Sequence, residues 1–192
     1  MPDRCTWCGD DPIYVTYHDT EWGVPVRDSK ALWAKLILDG AQAGLSWITI
    51  LRKRDNYYAA FDGLDPEKIV HYNDDKVAEL LHNPGIVRNK LKINSAIKNA
   101  RGYMQITEEY GSFGKFCWDF VDGQPLQNSW ATMAEVPAET PLSQTVSKAL
   151  KKQGFSFVGP TIVYAWMQAV GMINDHTTDC FRHVECQKLA EL

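Results

Sequence analysis

No apolar run in this chain of 192 residues approaches the ~20 residues that a membrane span needs. The polar opening MPDRC lacks the pattern of a secretory leader. No segment repeats, no stretch is of low complexity and no linker divides the chain. Alternation of period two, the mark of a half-buried strand, is missing, as are a glycine-rich phosphate loop and a dinucleotide fingerprint. These absences set aside a membrane protein, a sheet fold and a nucleotide-cofactor enzyme. Cysteine is sparse, at five; with no secretory signal, a reducing compartment is expected, where thiols or metal ligands outrank disulfides. The expectation is a cytoplasmic protein of one domain over 1–192, a length that can bury a sizeable core.

Acids are lacking from two particular stretches. Between Ile86 and Thr107 the chain carries Arg88, Lys90, Lys92, Lys98 and Arg101 without one Asp or Glu. Between Pro141 and Asn174 it carries Lys148, Lys151 and Lys152, again without an acid. In a chain of net charge −4, such stretches form either solvated helix faces or a one-sided positive surface that meets an anion.

What is present is helical. Leu32, Trp33, Leu36 and Ile37 mark one buried stripe, opened by Asp28 or Ser29 as a cap. Asp65-Pro66-Glu67 reads as a cap, a first-turn proline and a dipole-favoured acid. Val77, Leu80 and Leu81 continue in a short helix closed by HNPG. Leu91 to Tyr103 predicts a longer amphipathic helix. Thr140-Pro141 opens another that ends at Lys152, with Gly154 as its stop. Gly159-Pro160 then restarts a helix to about Gly171. The predicted fold is all-α, in two lobes.

Soft metal ligands gather at both ends. Cys5, Cys8 and His18 lie near one, and His176, Cys180, His183 and Cys186 near the other. Thiolate and imidazole suit Zn²⁺, which takes four such ligands in a structural site. Seven candidates exceed four, and spacing does not choose among them. Redox chemistry by Cys5 and Cys8 is disfavoured, because no βαβ pattern surrounds them. Beside the N-terminal group, Trp7, Tyr14, Tyr17, Trp22 and Trp47 crowd together with Asp39 and Gln42. Rings at this density build either a core or a pocket for a flat cationic ligand, since ring faces attract cations by ~0.5–2 kcal/mol.

The runs RCTWC, DPIYVTYHDTEWGVP, DSKALWAKLILDGAQAGLSWITILRKR, PGIVRNKLKINSAIKNA, FVGPTIVYAWMQAVG and NDHTTDC together resemble the 3-methyladenine DNA glycosylase I family over roughly residues 3 to 182. The resemblance implies a helix-hairpin-helix glycosylase-like fold with one structural zinc, held by Cys5, His18, His176 and Cys180, that joins the N- and C-terminal segments. The tail 183–192 lies outside it, and whether it is ordered or disordered is left open by the sequence. Phe157 to Thr161 would form the hairpin, with Gly159 and Thr161 at a DNA phosphate and Lys148, Lys151 and Lys152 beside it. Gly44 and Leu45 would plug the stack left by a flipped nucleotide. Tyr17, Trp47 and Asp39 would act on the base, with Tyr14, Trp7, Trp22 and Gln42 shaping the rest of the pocket.

The implied activity is hydrolysis of the N-glycosidic bond of 3-methyladenine in alkylated double-stranded DNA by a monomer. It would leave an abasic site and have no lyase activity, since no lysine occupies the Schiff-base position. Asp175, beside a zinc ligand, is assigned a supporting role. One departure stands out: the family commonly has glutamate where this chain has Asp39, one methylene shorter. The rival readings are a non-catalytic zinc-stabilised helical module that binds nucleic acid, and a thiol or zinc hydrolase. The second would need an open metal position or a Cys–His pair, and neither motif is legible.

Overall fold

A computed structural model describes residues 3–190. Among the described residues ten α-helices carry the fold: α1 (Pro12–Thr20), α2 (Ser29–Ala41), α3 (Trp47–Ala60), α4 (Pro66–Ile69), α5 (Asp74–His82), α6 (Lys90–Tyr110), α7 (Phe113–Trp118), α8 (Pro141–Lys152), α9 (Pro160–Ala169) and α10 (Phe181–Ala190). Among the described residues no helix is long and apolar enough to cross a membrane.

The caps follow local chemistry. Asp28 accepts from the Ala31 amide at the start of α2, Asp65 from Glu67 at α4, and Asn73 from Lys76 at α5. Each carboxylate or amide oxygen satisfies an amide that has no partner inside its helix. Thr140 and Ser143 exchange side-chain bonds with each other's backbone in a capping box that opens α8. That helix stops where Gly154, at φ +84°, lets the Phe155 amide reach back to the Leu150 carbonyl at 3.1 Å.

The α2 helix is the axis of the molecule. Nine of its residues, Leu32 to Ala34 and Leu36 to Ala41, are buried, and α3, α4, α6, α7 and α9 pack around it. Two tryptophans tie the packing down. Trp33 Nε1 donates to the Asn99 carbonyl of α6 at 3.2 Å, and Trp166 Nε1 of α9 to the Leu32 carbonyl at 3.0 Å. A helix enclosed on all sides holds its side chains in fixed positions, which suits it to carry a site.

One expectation is refined and one open question is answered. The fold is predominantly helical, yet β1 (Leu126–Gln127) pairs in parallel with β2 (Ile173–Asn174). Two-residue strands are too short to print a period in the sequence. The stretch 183–190 is not disordered: it forms the body of α10, with Arg182, His183 and Cys186 buried. Residues 191 and 192 of the expected tail lie outside the described residues.

Candidate functional site

Consecutive residues of α1 face two different environments. His18 joins Cys5, His176 and Cys180 in a buried cluster whose ligand atoms all lie within 4.8 Å of one another. Cys180 Sγ is 3.5 Å from His18 Nε2 and 3.5 Å from His176 Nδ1, and Cys5 Sγ is 3.5 Å from His176 Nδ1. A tetrahedron with Zn–S of ~2.3 Å and Zn–N of ~2.05 Å has S···N edges of about 3.5 Å. The donor set therefore fits zinc in both chemistry and size.

The other ring nitrogens are engaged. His18 Nδ1 meets Asp19 Oδ1 at 2.8 Å, and Asp19 is held by Arg4 through both carboxylate oxygens. His176 Nε2 meets the Trp22 carbonyl at 3.0 Å. Oxygen partners on the outer nitrogens turn the inner ones toward a metal. Hydrogen bonding from Cys5, with further bonds from His176 and His18, pulls the Cys180 thiol down, toward the thiolate that binds metal. The remaining candidates stay outside: Cys8 donates to the Cys5 carbonyl, and His183 contacts the Asn128 carbonyl, while Cys186 is a buried residue of α10.

The neighbouring residue, Tyr17, lines a cavity of about 210 Å³ together with Trp7, Tyr14, Trp22, Asp39, Gln42 and Trp47. The structure thus brings all seven pocket residues named from the sequence into one place. Their rings form a connected wall: Trp7 lies 5.0 Å from Tyr14 and 5.1 Å from Trp22, and Tyr17 lies 5.4 Å from Trp47. The wall also touches the metal cluster, with Trp22 4.6 Å from His176 and Trp7 5.4 Å from His18. Lys35, Met133, Ala165, Gln168 and Ala169 complete the lining; sequence reasoning missed them.

Buried polar atoms without a partner are costly, at about 1–3 kcal/mol each, and few are tolerated. Among the described residues five side-chain atoms are in this state, and three belong to this cavity: Trp7 Nε1, Asp39 Oδ2 and Trp47 Nε1. Two donors and one acceptor are thus left unmet on residues that line the aromatic cavity. Asp39 Oδ1 is taken by Lys35 at 2.5 Å. Burial pushes the Asp39 carboxyl up, and the Lys35 charge opposes that shift. Burial, and then the Asp39 charge, raise Tyr17 well above its ordinary value, so it stays a neutral phenol.

Asp175 is fully buried and saturated. It accepts from Asn128 Nδ2 at 2.6 Å, Trp130 Nε1 at 2.8 Å, Tyr164 Oη at 2.5 Å and Gln168 Nε2 at 2.8 Å. With four donors upon it, this carboxylate fixes Gln168 in the cavity wall and ties down residues 128–130.

Next to the cavity, Gly44, Leu45 and Thr161 line a groove of about 200 Å³ that shares Asp39 and Gln42 with it. Gly44 sits at φ +77°, where a side chain would be strained, and Leu45 is 41 % exposed. Lys92 of α6 grips this turn, its Nζ donating to the carbonyls of Ala41 at 2.8 Å and Ala43 at 2.6 Å. The loop from Gln153 to Gly159 is clamped by Asn99, which bonds both the amide and the carbonyl of Ser156. Lys148, Lys151 and Lys152 are exposed and make no ion pair among the described residues.

Fold and site together define a helical protein whose two terminal segments meet in a buried Cys–His cluster beside an aromatic-lined cavity. The chain belongs to the methyladenine glycosylase family, whose model matches residues 7–183. It is 48 % identical to DNA-3-methyladenine glycosylase 1 of Escherichia coli over 178 residues, covering 93 % of this chain and 95 % of that one. It is 43 % identical to the DNA-3-methyladenine glycosylase of Haemophilus influenzae, covering 94 % and 97 %. Among solved structures, a 3-methyladenine DNA glycosylase I matches with a TM-score of 0.92 at 49 % identity, covering 94 % of this chain and 100 % of its own. The Staphylococcus aureus enzyme, solved for the structural basis of its 3-methyladenine recognition, matches with a TM-score of 0.91 at 37 % identity, covering 93 % and 95 %.

Proposed function

We propose that this protein is a monofunctional DNA-3-methyladenine glycosylase that hydrolyses the N-glycosidic bond of 3-methyladenine in alkylated duplex DNA. The observation that carries the reading is the cavity with three unmet polar atoms, continuous with the groove under Gly44 and Leu45. A base in a duplex is out of reach, so the nucleotide must be flipped. Leu45, an exposed apolar side chain on a tight turn, would fill the gap. The base would stack on Tyr17 and Trp47, worth ~1–3 kcal/mol, and Asp39 Oδ2 would accept from its exocyclic amine.

Methylation at N3 has already made the base cationic. When the bond from C1′ to the base nitrogen breaks, its electrons neutralise the ring, and water adds at C1′ and loses a proton. No general acid is required, and with no lysine at the Schiff-base position after the hairpin the product is an abasic site. Asp175, bound by four donors, is left in a structural role.

The helix-hairpin-helix assignment rests on α8, the clamped loop and α9. Gly159 has φ −61° and a Cβ there would meet nothing within 4 Å. The fold does not require glycine at this position, which supports close approach by a phosphate from outside. The unpaired lysines of α8 would flank that phosphate. One zinc, bound by Cys5, His18, His176 and Cys180, is structural, because four protein ligands leave no open position. The protein is read as a single two-lobed glycosylase domain, monomeric and cytoplasmic.

Chromatography of bases released from alkylated duplex DNA tests the reading. Release of 3-methyladenine is expected, with 7-methylguanine retained and strands intact until heat or alkali is applied. No release from folded, zinc-bound protein would favour the non-catalytic module, and strand cleavage without heat or alkali would refute the monofunctional assignment. Lys92→Met is expected to lower excision from DNA about tenfold, ~1.4 kcal/mol, as the turn loses both of its charged hydrogen bonds. Binding of free 3-methyladenine, measured by tryptophan fluorescence, should stay at the wild-type level.

A further inference from the structure

The α6 helix grips two separate segments that lie outside the base cavity. Near its start, Lys92 holds the turn that carries Gly44 and Leu45, through the carbonyls of Ala41 and Ala43. Two turns on, Asn99 holds the loop that precedes α9. Its Oδ1 accepts from the Ser156 amide at 2.8 Å, and its Nδ2 donates to the Ser156 carbonyl at 3.0 Å. Seven residues at 1.5 Å of rise put the two grips about 10 Å apart along one stripe of the helix. About one turn further, helix and loop are in direct contact. A Cβ on Gly102 would lie 2.6 Å from the Gln153 carbonyl oxygen and 2.4 Å from the Phe155 ring.

Asn99 is itself buried and anchored, its carbonyl accepting from Trp33 Nε1 of α2. Phe157, next to the clamped Ser156, sits at φ +54°, a conformation that a residue with a side chain keeps only where its surroundings enforce it. The Asn99 clamp on one side enforces it, and Ser147 Oγ, donating to the Val158 carbonyl at 2.6 Å, does so on the other. The loop is thus shaped before any partner arrives.

Resting on the reading of Leu45 as the plug and of the loop before α9 as the phosphate-binding hairpin, we infer that α6 is a strut. It fixes the distance between plug and hairpin, with Asn99 as its positioning residue at the hairpin end. Each DNA strand repeats every ~3.4 Å along the axis, so a plug and a phosphate clamp engage one duplex together only at a set separation. A free base uses neither part and is indifferent to the strut.

The test is a double-mutant cycle on Lys92→Met and Asn99→Leu, read as single-turnover excision of 3-methyladenine from alkylated duplex DNA. Asn99→Leu is expected to lower excision about tenfold, as Lys92→Met does. Sites this far apart without a shared partner ordinarily act additively, which would give a loss of about a hundredfold in the double variant. A strut released at one end has no distance left to keep, so the double variant should fall within about threefold of either single one. Free 3-methyladenine, followed by tryptophan fluorescence, should bind all three variants as it binds the wild type. Additive losses would make the two residues independent props and overturn the inference. So would wild-type excision by Asn99→Leu, or a parallel loss of free-base binding in that variant. Hydrogen exchange on the wild type keeps the test alive if Asn99→Leu does not fold: the Ser156 amide should exchange at least a hundredfold more slowly than in an open chain. Exchange at the open-chain rate overturns the clamp and the strut with it. A wild type that releases no 3-methyladenine fails the glycosylase reading itself, whereas every other adverse result leaves that reading standing.

Discussion

Cys180→Ser is expected to lower the melting temperature by about 10 °C or more and to release the metal. The cluster links residues 171 positions apart, and closing so long a loop removes much freedom from the unfolded chain. Structural zinc contributes ~10–16 kcal/mol of apparent binding energy in small zinc domains. Losing ~3–5 kcal/mol of it would shift the midpoint of a chain this size by roughly 2–4 °C per kcal/mol. Cys8→Ser, outside the cluster, should melt as the wild type does. Thermal unfolding with metal quantification decides. Wild-type protein that carries no zinc, and a Cys180→Ser variant that melts normally, would remove the metal from this account.

Asp39→Asn is expected to cut excision of 3-methyladenine by about 10²–10³-fold. The amide forfeits a charge-assisted hydrogen bond worth ~1.5–3 kcal/mol, and it strands Lys35 as a buried unpaired charge at a cost of ~3–5 kcal/mol. A barrier raised by ~3–4 kcal/mol accounts for the rate. Lys35→Met combined with Asp39→Asn should recover stability but not excision, which separates the two costs. Single-turnover kinetics and melting curves on the two variants and the wild type provide the check. Wild-type excision by Asp39→Asn would take the carboxylate out of the mechanism.

Most helices were legible because their signals are local. Asp28, Asp65 and Thr140 cap the helices they were expected to open, and Gly154 ends α8 at a positive φ. The pocket residues were legible through resemblance and aromatic density, and the cavity gathers all seven of them. Lys35 escaped because a lysine four residues before an aspartate reads as an exposed helix pair. The signal was there: both charges fall inside the otherwise apolar run ALWAKLILDGA, and a helix apolar on all sides is enclosed. Gln168 and Met133 were invisible for another reason. Their place in the wall depends on contacts between distant segments, such as Asp175 bonding Gln168 and Asn128 together. The α10 helix lay beyond the resemblance, and its weakly patterned sequence gave no stripe to follow.

The adjacency of Tyr17 and His18 sets an order of events during synthesis. Trp7, Tyr14 and Tyr17 leave a ribosome long before His176 and Cys180 do. At ~5–20 residues per second, many seconds pass between the making of one wall of the pocket and the arrival of the side chains that fix it. A nascent chain can pack α2 against α6 and α7 in that interval, but the rings that rest on His18 and His176 have no anchor yet. The pocket is therefore completed only when the last ligand arrives, so an unfinished chain has no finished site with which to engage a base.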